Sequence, residues 1–190
     1  MGLRQLATVA LISSTAYGEI SVGEWPGFRG DGKSRGKGNN VALEWTNESG
    51  VLWRKKLQGF GQSSPVFWGD TVYVTSVGGK NKEHLYVEAF DRLSGNRRWL
   101  HQIKASETVE TVSRMISQGA PTPVAGPLGL HAFFESGDLV SLDHRGNLRW
   151  SRKLTKEFGK FKGGHGLGSS LVGAANNLLL LIDHDGPSLS

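Results

Sequence analysis

From residue 51 onward, short runs rich in β-branched and aromatic residues are separated by glycine, aspartate and asparagine turns, the pattern of consecutive strands rather than of helices. Ser64 to Trp68, a Gly69-Asp70 turn and Thr71 to Ser76 predict a hairpin. Leu85 to Phe90 predicts a third strand, and a turn over Asp91 to Asn96 leads into a fourth that carries Trp99. The order then recurs. Thr122 to Val124 precedes an irregular glycine and proline turn, Leu130 to Phe134 forms the next strand, and Glu135-Ser136-Gly137-Asp138 turns into Leu139 to Leu142. A third unit opens at Gly168-Ser169-Ser170-Leu171-Val172, a loose match to Gly61 through Val66, with Leu178 to Ile182 as its second strand. Residues 104–118 read two ways. Val109, Val112, Met115 and Ile116 have helical spacing, yet the β-branched Thr108, Val109, Thr111 and Val112 suit extended chain, so a loop with room for a short helix is expected.

The two complete units share a motif. Ala89-Phe90-Asp91-Arg92-Leu93-Ser94-Gly95-Asn96-Arg97-Arg98-Trp99 is echoed by Ser141-Leu142-Asp143-His144-Arg145-Gly146-Asn147-Leu148-Arg149-Trp150, with one residue lost between aspartate and glycine. Trp53 lies 46 residues before Trp99, and Trp150 lies 51 after it. That period is the size of a four-stranded propeller blade. Glycine in such a turn takes the positive φ that other residues avoid, while the aspartate can bond the turn's own amides. The tryptophans, recurring with the period, read as packing between neighbouring sheets rather than as a ligand platform.

Composition fits this picture and narrows the chemistry. Twenty-seven glycines in 190 residues, about twice ordinary usage, favour many turns. Hydrophobic residues at 37% and charged residues at 21% supply a core and exclude a disordered chain. With no cysteine there is no disulfide, thiolate zinc site or cysteine nucleophile. A net charge of +5 raises the question of nucleic acid, but the basic residues are dispersed as pairs such as Lys55-Lys56, Arg97-Arg98 and Arg152-Lys153, which argues against tracking a phosphate backbone.

The first eighteen residues stand apart. Arg4 precedes a mostly apolar stretch from Leu6 to Ala16, and Ala16-Tyr17-Gly18 approximates a small-x-small cleavage site, so residues 1–18 read as an export signal. A buried first strand is the competing reading. The stretch is shorter than the roughly 20 apolar residues that span a bilayer, and no later stretch is longer, so no membrane span is expected.

These residues resemble the pyrroloquinoline-quinone-type, or quinoprotein-like, β-propeller repeat family. Ala89-x-Asp91-x-x-x-Gly95-x-x-x-Trp99 looks like its tryptophan-docking motif in full, and the second copy carries Ser141, Asp143, Gly146 and Trp150. Trp25-Pro26-Gly27-Phe28-Arg29-Gly30 looks like the opening of exported members. The resemblance implies an all-β fold of four-stranded antiparallel blades, incomplete here at about three of the seven or eight that close such a ring. The expected organisation is a signal at 1–18, an extended segment at 19–44, and a partial propeller at 45–190, with blades near 51–103 and 119–154 and a partial blade near 165–190. Leu171 departs from the family, where a proline would be expected after the serine pair.

Other candidate sites are weaker. Gly27-x-x-x-x-Gly32-Lys33-Ser34 matches the phosphate-loop expression, but Arg35-Gly36-Lys37-Gly38-Asn39-Asn40 is a poor helix start, and that loop needs a helix. His165 and the run Asp183-His184-Asp185 could contribute metal ligands, yet neither makes a complete set. Lys160-Phe161-Lys162 reads as a solvated loop. No catalytic, cofactor-binding or metal residue is assigned. The expected role is therefore a non-catalytic binding or assembly scaffold outside the cytoplasm, periplasmic or extracellular, contacting a protein partner or itself through open blade edges. The alternative is a fragment of a pyrroloquinoline-quinone-dependent dehydrogenase, which would bring the quinone and calcium.

Cleavage after Gly18 predicts that N-terminal sequencing of exported protein begins at Glu19; retention of Met1 would refute it. An array that is not closed also predicts an isolated chain that is marginally stable or self-associating, because neighbouring blades bury each other's faces. A monomer that unfolds cooperatively at low concentration would contradict that expectation.

Overall fold

The computed structural model describes residues 8–12, 24–30, 44–46, 49–108, 119–161, 167–174 and 177–184. Its frame is two four-stranded antiparallel sheets, each a meander in chain order. The first contains β3 (Val66–Trp68), β4 (Thr71–Gly78), β5 (His84–Asp91) and β6 (Arg97–Lys104), and the second β7 (Val124–Gly126), β8 (Gly129–Phe133), β9 (Asp138–Leu142) and β10 (Leu148–Lys153). Two shorter pairs flank them. β1 (Thr8–Ile12) pairs antiparallel with β2 (Val51–Lys56), and β11 (Val172–Ala174) with β12 (Asn177–Leu179).

The middle strands are buried on two faces, and the period of two sorts their side chains. Tyr73, Val77, Leu85, Val87 and Ala89 of the first sheet meet Ala125, Leu130, Ala132, Val140 and Leu142 of the second in one core, with Trp99 against its edge. The intervening Val72, Val74 and Phe90 face the opposite way and pack on Trp53 and Leu57. Likewise Phe133 and Leu139 turn from the shared core toward Leu154, Leu167 and Leu171. Each sheet is thus a filled layer between two neighbours. This is why β4 has no exposed position.

Most strands lie where the sequence pattern puts them. Two elements differ. Leu154–Phe158 forms a single helical turn, α1, that follows β10 without a break and that the pattern did not suggest. Leu154 is its buried residue, seated with Phe133 and Leu139, so packing decides the local conformation. In the third unit the pairing is shorter than expected, ending at Leu179 rather than Ile182. Thr8–Ile12, within the expected export signal, is placed as a strand along β2, and the expected cleavage point lies outside the described residues. Residues 109–118, the core of the ambiguous segment, also lie outside them.

The connections sort onto two ends of the sheets. Arg92 donates its backbone N–H to the Asp70 carbonyl, and the Arg149 guanidinium donates to the Leu128 carbonyl, so the short turns meet at one end. At the other end Ala105 N–H bonds the Glu83 carbonyl and Leu154 N–H the Gly137 carbonyl. The long connections, 105–123 and 154–171, begin there. That end is called the loop face below.

The double-sided layers predict that Val74→Ala and Val87→Ala, on opposite faces of one sheet, destabilise by similar amounts, about 1–3 kcal/mol each in urea unfolding. Were one face solvent-facing in solution, its substitution would cost almost nothing.

Candidate functional site

The motif residues assemble into two copies of one joint between sheets. Trp53 on β2 donates its indole N–H to the Arg92 carbonyl at 2.8 Å, and Trp99 on β6 donates to the His144 carbonyl at 2.9 Å. In each case the acceptor is the residue directly after the motif aspartate, Asp91 or Asp143. The indole lies flat over the motif glycine. A Cβ on Gly95 would come within 2.5 Å of the Trp53 ring, and one on Gly146 within 2.7 Å of the Trp99 ring. Both glycines are in the left-handed region, at φ 66° and 85°. Glycine is required twice over, for the backbone and for the ring above it.

Each turn is held by its aspartate. Asp91 Oδ1 accepts from the backbone of Leu93 and Ser94 and from the Ser94 hydroxyl, and Asp143 Oδ1 accepts from the backbone of Arg145 and Asn147. Backbone closure is equivalent despite the missing residue, with Gly95 N–H on the Asp91 carbonyl and Gly146 N–H on the Asp143 carbonyl. Arg98 adds a clamp by donating to Asp70, Thr71 and Asp91 at 2.7–3.0 Å. It holds the carboxyls of Asp91 and Asp70 below the ordinary carboxylate range.

Ala89 is fully buried and pairs directly with Trp99; Ser141 pairs the same way with Trp150. Tyr73, opposite Ala89, carries the joint across the sheets: its ring tilts against Trp99, and its hydroxyl is 2.6 Å from His144 Nδ1. Burial pushes the Tyr73 phenol up. Trp150 differs from the other two tryptophans. It is 38% exposed and rests against His131, with no motif turn over it among the described residues.

A second joint lies at the start of the inner strands, where the sequence reading assigned nothing. Ser64 N–H donates to the Thr122 hydroxyl, and Thr122 N–H donates to the Ser170 hydroxyl, each at 3.1 Å. Ser64, Thr122 and Ser170 all stand two residues before a valine, at Val66, Val124 and Val172. They are one repeat position linked hand to hand across three units, and aligning the units on those valines reveals it. Around this line is a cavity of about 400 Å³ bordered by Gln62, Ala120 and Gly168, by Thr122, Ser170 and Val172, and by Phe28 and Arg29. Trp25 to Gly30 reaches it by pairing: Trp25 and Phe67 exchange backbone hydrogen bonds, and the Pro26 carbonyl accepts from Ala125.

Two buried carboxylates fasten the loop face. Asp138 accepts from the Ser106 backbone and hydroxyl and from the Ser136 hydroxyl, at 2.6–2.8 Å. Glu135 Oε1 accepts from Leu167 N–H, while its buried Oε2 has no hydrogen-bond partner among the described residues. Burial pushes the Glu135 carboxyl up. These residues were read from sequence only as a turn; Ser106 and Leu167 each lie 32 residues from the carboxylate that holds them and gave no local signal.

The remaining candidates are scattered. Gly27 to Gly30 is a turn closed by Gly30 N–H on the Gly27 carbonyl, and Gly32, Lys33 and Ser34 lie outside the described residues, as do His165, Asp185 and Lys162. His184 bridges to Phe161, and its ring stacks obliquely on Phe158. Among the described residues no three histidine, aspartate or glutamate side chains gather as metal ligands.

Four-stranded antiparallel sheets joined by tryptophan-on-turn contacts define a β-propeller of the pyrroloquinoline-quinone repeat type. The profile of the family described as outer membrane protein assembly factor BamB matches residues 26–165, and the chain belongs to that family. Among solved structures it is similar to quinohemoprotein alcohol dehydrogenase from Comamonas testosteroni, with 14% identity and a TM-score of 0.45 over 66% of this chain. The match spans 18% of that dehydrogenase chain. No curated protein matches.

The joint predicts two distinct losses. Trp99→Phe keeps an aromatic ring but leaves the His144 carbonyl unpaired, costing about 1 kcal/mol, whereas Trp99→Ala costs about 3 kcal/mol. Gly146→Ala should cost about 1–3 kcal/mol in the native chain and less when Trp99 is already alanine; additive losses in that cycle would separate glycine from ring. The clamp sets a pH dependence. Because folding lowers the carboxyl pKa values of Asp91 and Asp70, their contribution is present above the unfolded value of 3.8 and is lost as pH falls through the folded values. Solvent screening keeps the contribution small. Melting temperature should therefore fall less between pH 6 and about pH 3 in Arg98→Ala than in the native chain; equal falls would overturn the assignment.

Proposed function

We propose that this chain is a non-catalytic binding or assembly scaffold that works outside the cytoplasm, and that its contact surface is the loop face. The carrying observation is the pair of anchors there. Asp138 ties down Ser106 at the start of one long connection, and Glu135 ties down Leu167 near the end of the other. Loops fixed at their roots to a packed sheet present side chains with little loss of entropy on binding, as a recognition surface requires. Trp99 and the Asp91–Gly95 and Asp143–Gly146 turns are occupied in joining sheets. The family's description as an outer membrane protein assembly factor favours a protein as the partner.

On this reading residues 1–18 form an export signal, 19–44 an extended segment and 45–190 propeller repeats. Among the described residues no helix is long and apolar enough to cross a membrane. The dehydrogenase alternative would need groups to hold a quinone and calcium. Among the described residues no three histidine, aspartate or glutamate side chains gather as such a set, and Asp138 already accepts from Ser106 and Ser136.

Photo-crosslinking residues placed at the exposed Glu107 and Lys160 on the loop face, and at Leu93 and Arg145 on the opposite end, test the proposal in the producing cell while leaving the anchors in place. One recurrent protein adduct from the loop-face positions alone is the expected result. Equal labelling from the two ends, or none from positions 107 and 160, would refute it. Dye-linked alcohol oxidation after loading with pyrroloquinoline quinone and calcium should stay at background; turnover would favour the enzyme.

A further inference from the structure

Dispersal of basic residues along the whole chain hides a local excess. From Arg145 to Lys160 there are six cations, Arg145, Arg149, Arg152, Lys153, Lys156 and Lys160, against one anion, Glu157. Set against chain totals of 22 and 17, that leaves sixteen of each sign elsewhere, so this segment accounts for the whole net charge of +5. All six cations are exposed. Arg152 is paired with Glu157, and among the described residues the other five form no ion pair.

The segment is the outer wall of the second sheet. β10 is the last strand there, paired on one side with β9, and every residue from Leu148 to Lys153 is exposed, whereas four of the eight positions of the matching strand β6 are half-buried. A surface approaching such an edge meets side chains from both faces of the strand. α1 then carries the band on through Lys156. Apolar groups stand among the cations: Leu148 is 52% exposed and Trp150 38%, and the Arg149 guanidinium, by donating to the Leu128 carbonyl, draws the 71% exposed Leu128 alongside.

We propose that this wall docks on the headgroup surface of a bilayer rich in anionic lipid. Lysine and arginine meet the negative potential of the headgroups, while exposed tryptophan and leucine enter the boundary between headgroups and acyl chains. The leucines separate this partner from another polyanion. A single-stranded nucleic acid would stack a base on Trp150 and track the cations, but it offers nothing to Leu128 and Leu148. A second copy would bring the same cations to the same edge, and like charge opposes that pairing. The wall runs between the two ends of the sheets, so this contact goes beyond the scaffold reading, and vesicle binding by the purified chain depends neither on the export signal nor on a partner at the loop face.

Flotation of the full chain with vesicles of phosphatidylglycerol and phosphatidylcholine in equal parts, against phosphatidylcholine alone, tests this. Binding to the mixed vesicles is expected at low salt, at least about tenfold tighter than to the neutral ones, and weakened about tenfold or more at about 0.3 M salt. Lys153→Gln, Lys156→Gln and Lys160→Gln combined remove three exposed cations of the wall. That variant should melt with the native chain and bind about tenfold or more weakly, whereas Lys56→Gln, Lys80→Gln and Lys104→Gln, an equal loss of charge elsewhere, should bind within about threefold of native. Trp150 reports the depth of contact: lipids brominated in the acyl chains should quench the native emission, and that quenching should fall in Trp150→Phe. Failure of the native chain to float, equal binding to neutral vesicles, equal losses in the two triple variants, or quenching unchanged in Trp150→Phe would overturn the proposal. So would binding to an oligothymidine as tight as to the mixed vesicles.

Discussion

An indole laid over a left-handed glycine, with its N–H on the carbonyl just after an aspartate, is the contact that every other part of this protein accommodates. Neither partner can satisfy the other within one sheet. Trp53 reaches Arg92 and Gly95, and Trp99 reaches His144 and Gly146, in each case on the following sheet. The joint therefore orders the sheets in space as they are ordered in sequence. It also explains why the second turn can be one residue shorter. What the ring reads is the carbonyl after the aspartate and the bare face of the glycine, and both survive between Asp143 and Gly146.

Joining sheets in this way imposes burial on both faces of the strands between them. Tyr73 and Val77 face one neighbour while Val72 and Val74 face the other, so β4 gains no solvent-facing register. Such a layer has no polar side by which to distinguish itself from its neighbours. Polar links at the ends take that role: the indole N–H groups of Trp53 and Trp99 tie each sheet to a short turn of the next, and the Ser64, Thr122 and Ser170 relay aligns the inner strands. The apolar layers supply cohesion, whereas directional hydrogen bonds at their two ends set the angle and offset between them.

The parts legible in sequence were those governed by local chemistry. Glycine, aspartate and tryptophan at fixed offsets announced turn, strand and period because each acts within a few residues of itself. Partners separated by a whole repeat were not legible. Tyr73 meets His144 across 71 positions, and Asp138 caps Ser106 across 32, with nothing in either neighbourhood to signal the match. The single turn of α1 was missed for a related reason: Leu154 is drawn into the core beside Phe133, and packing overrides a weak local preference. The relay of hydroxyls lies between these cases. Its residues recur with the repeat, but their role emerges only when the units are aligned on the following valine.

The same geometry divides labour between the two ends. At the short-turn end the backbone is consumed by the joints, since the carbonyls of Arg92 and His144 receive indoles and the glycines lie beneath rings. A substitution there acts first on sheet assembly. At the loop face the sheets close on short turns around Gly137 and Glu83, and the long connections are tied to the sheets by Asp138 at Ser106, by Glu135 at Leu167 and by the relay through Thr122 and Ser170. None of these ties uses an indole or a motif glycine. A substitution among them therefore acts on how a connection is seated before it acts on the tryptophan joint.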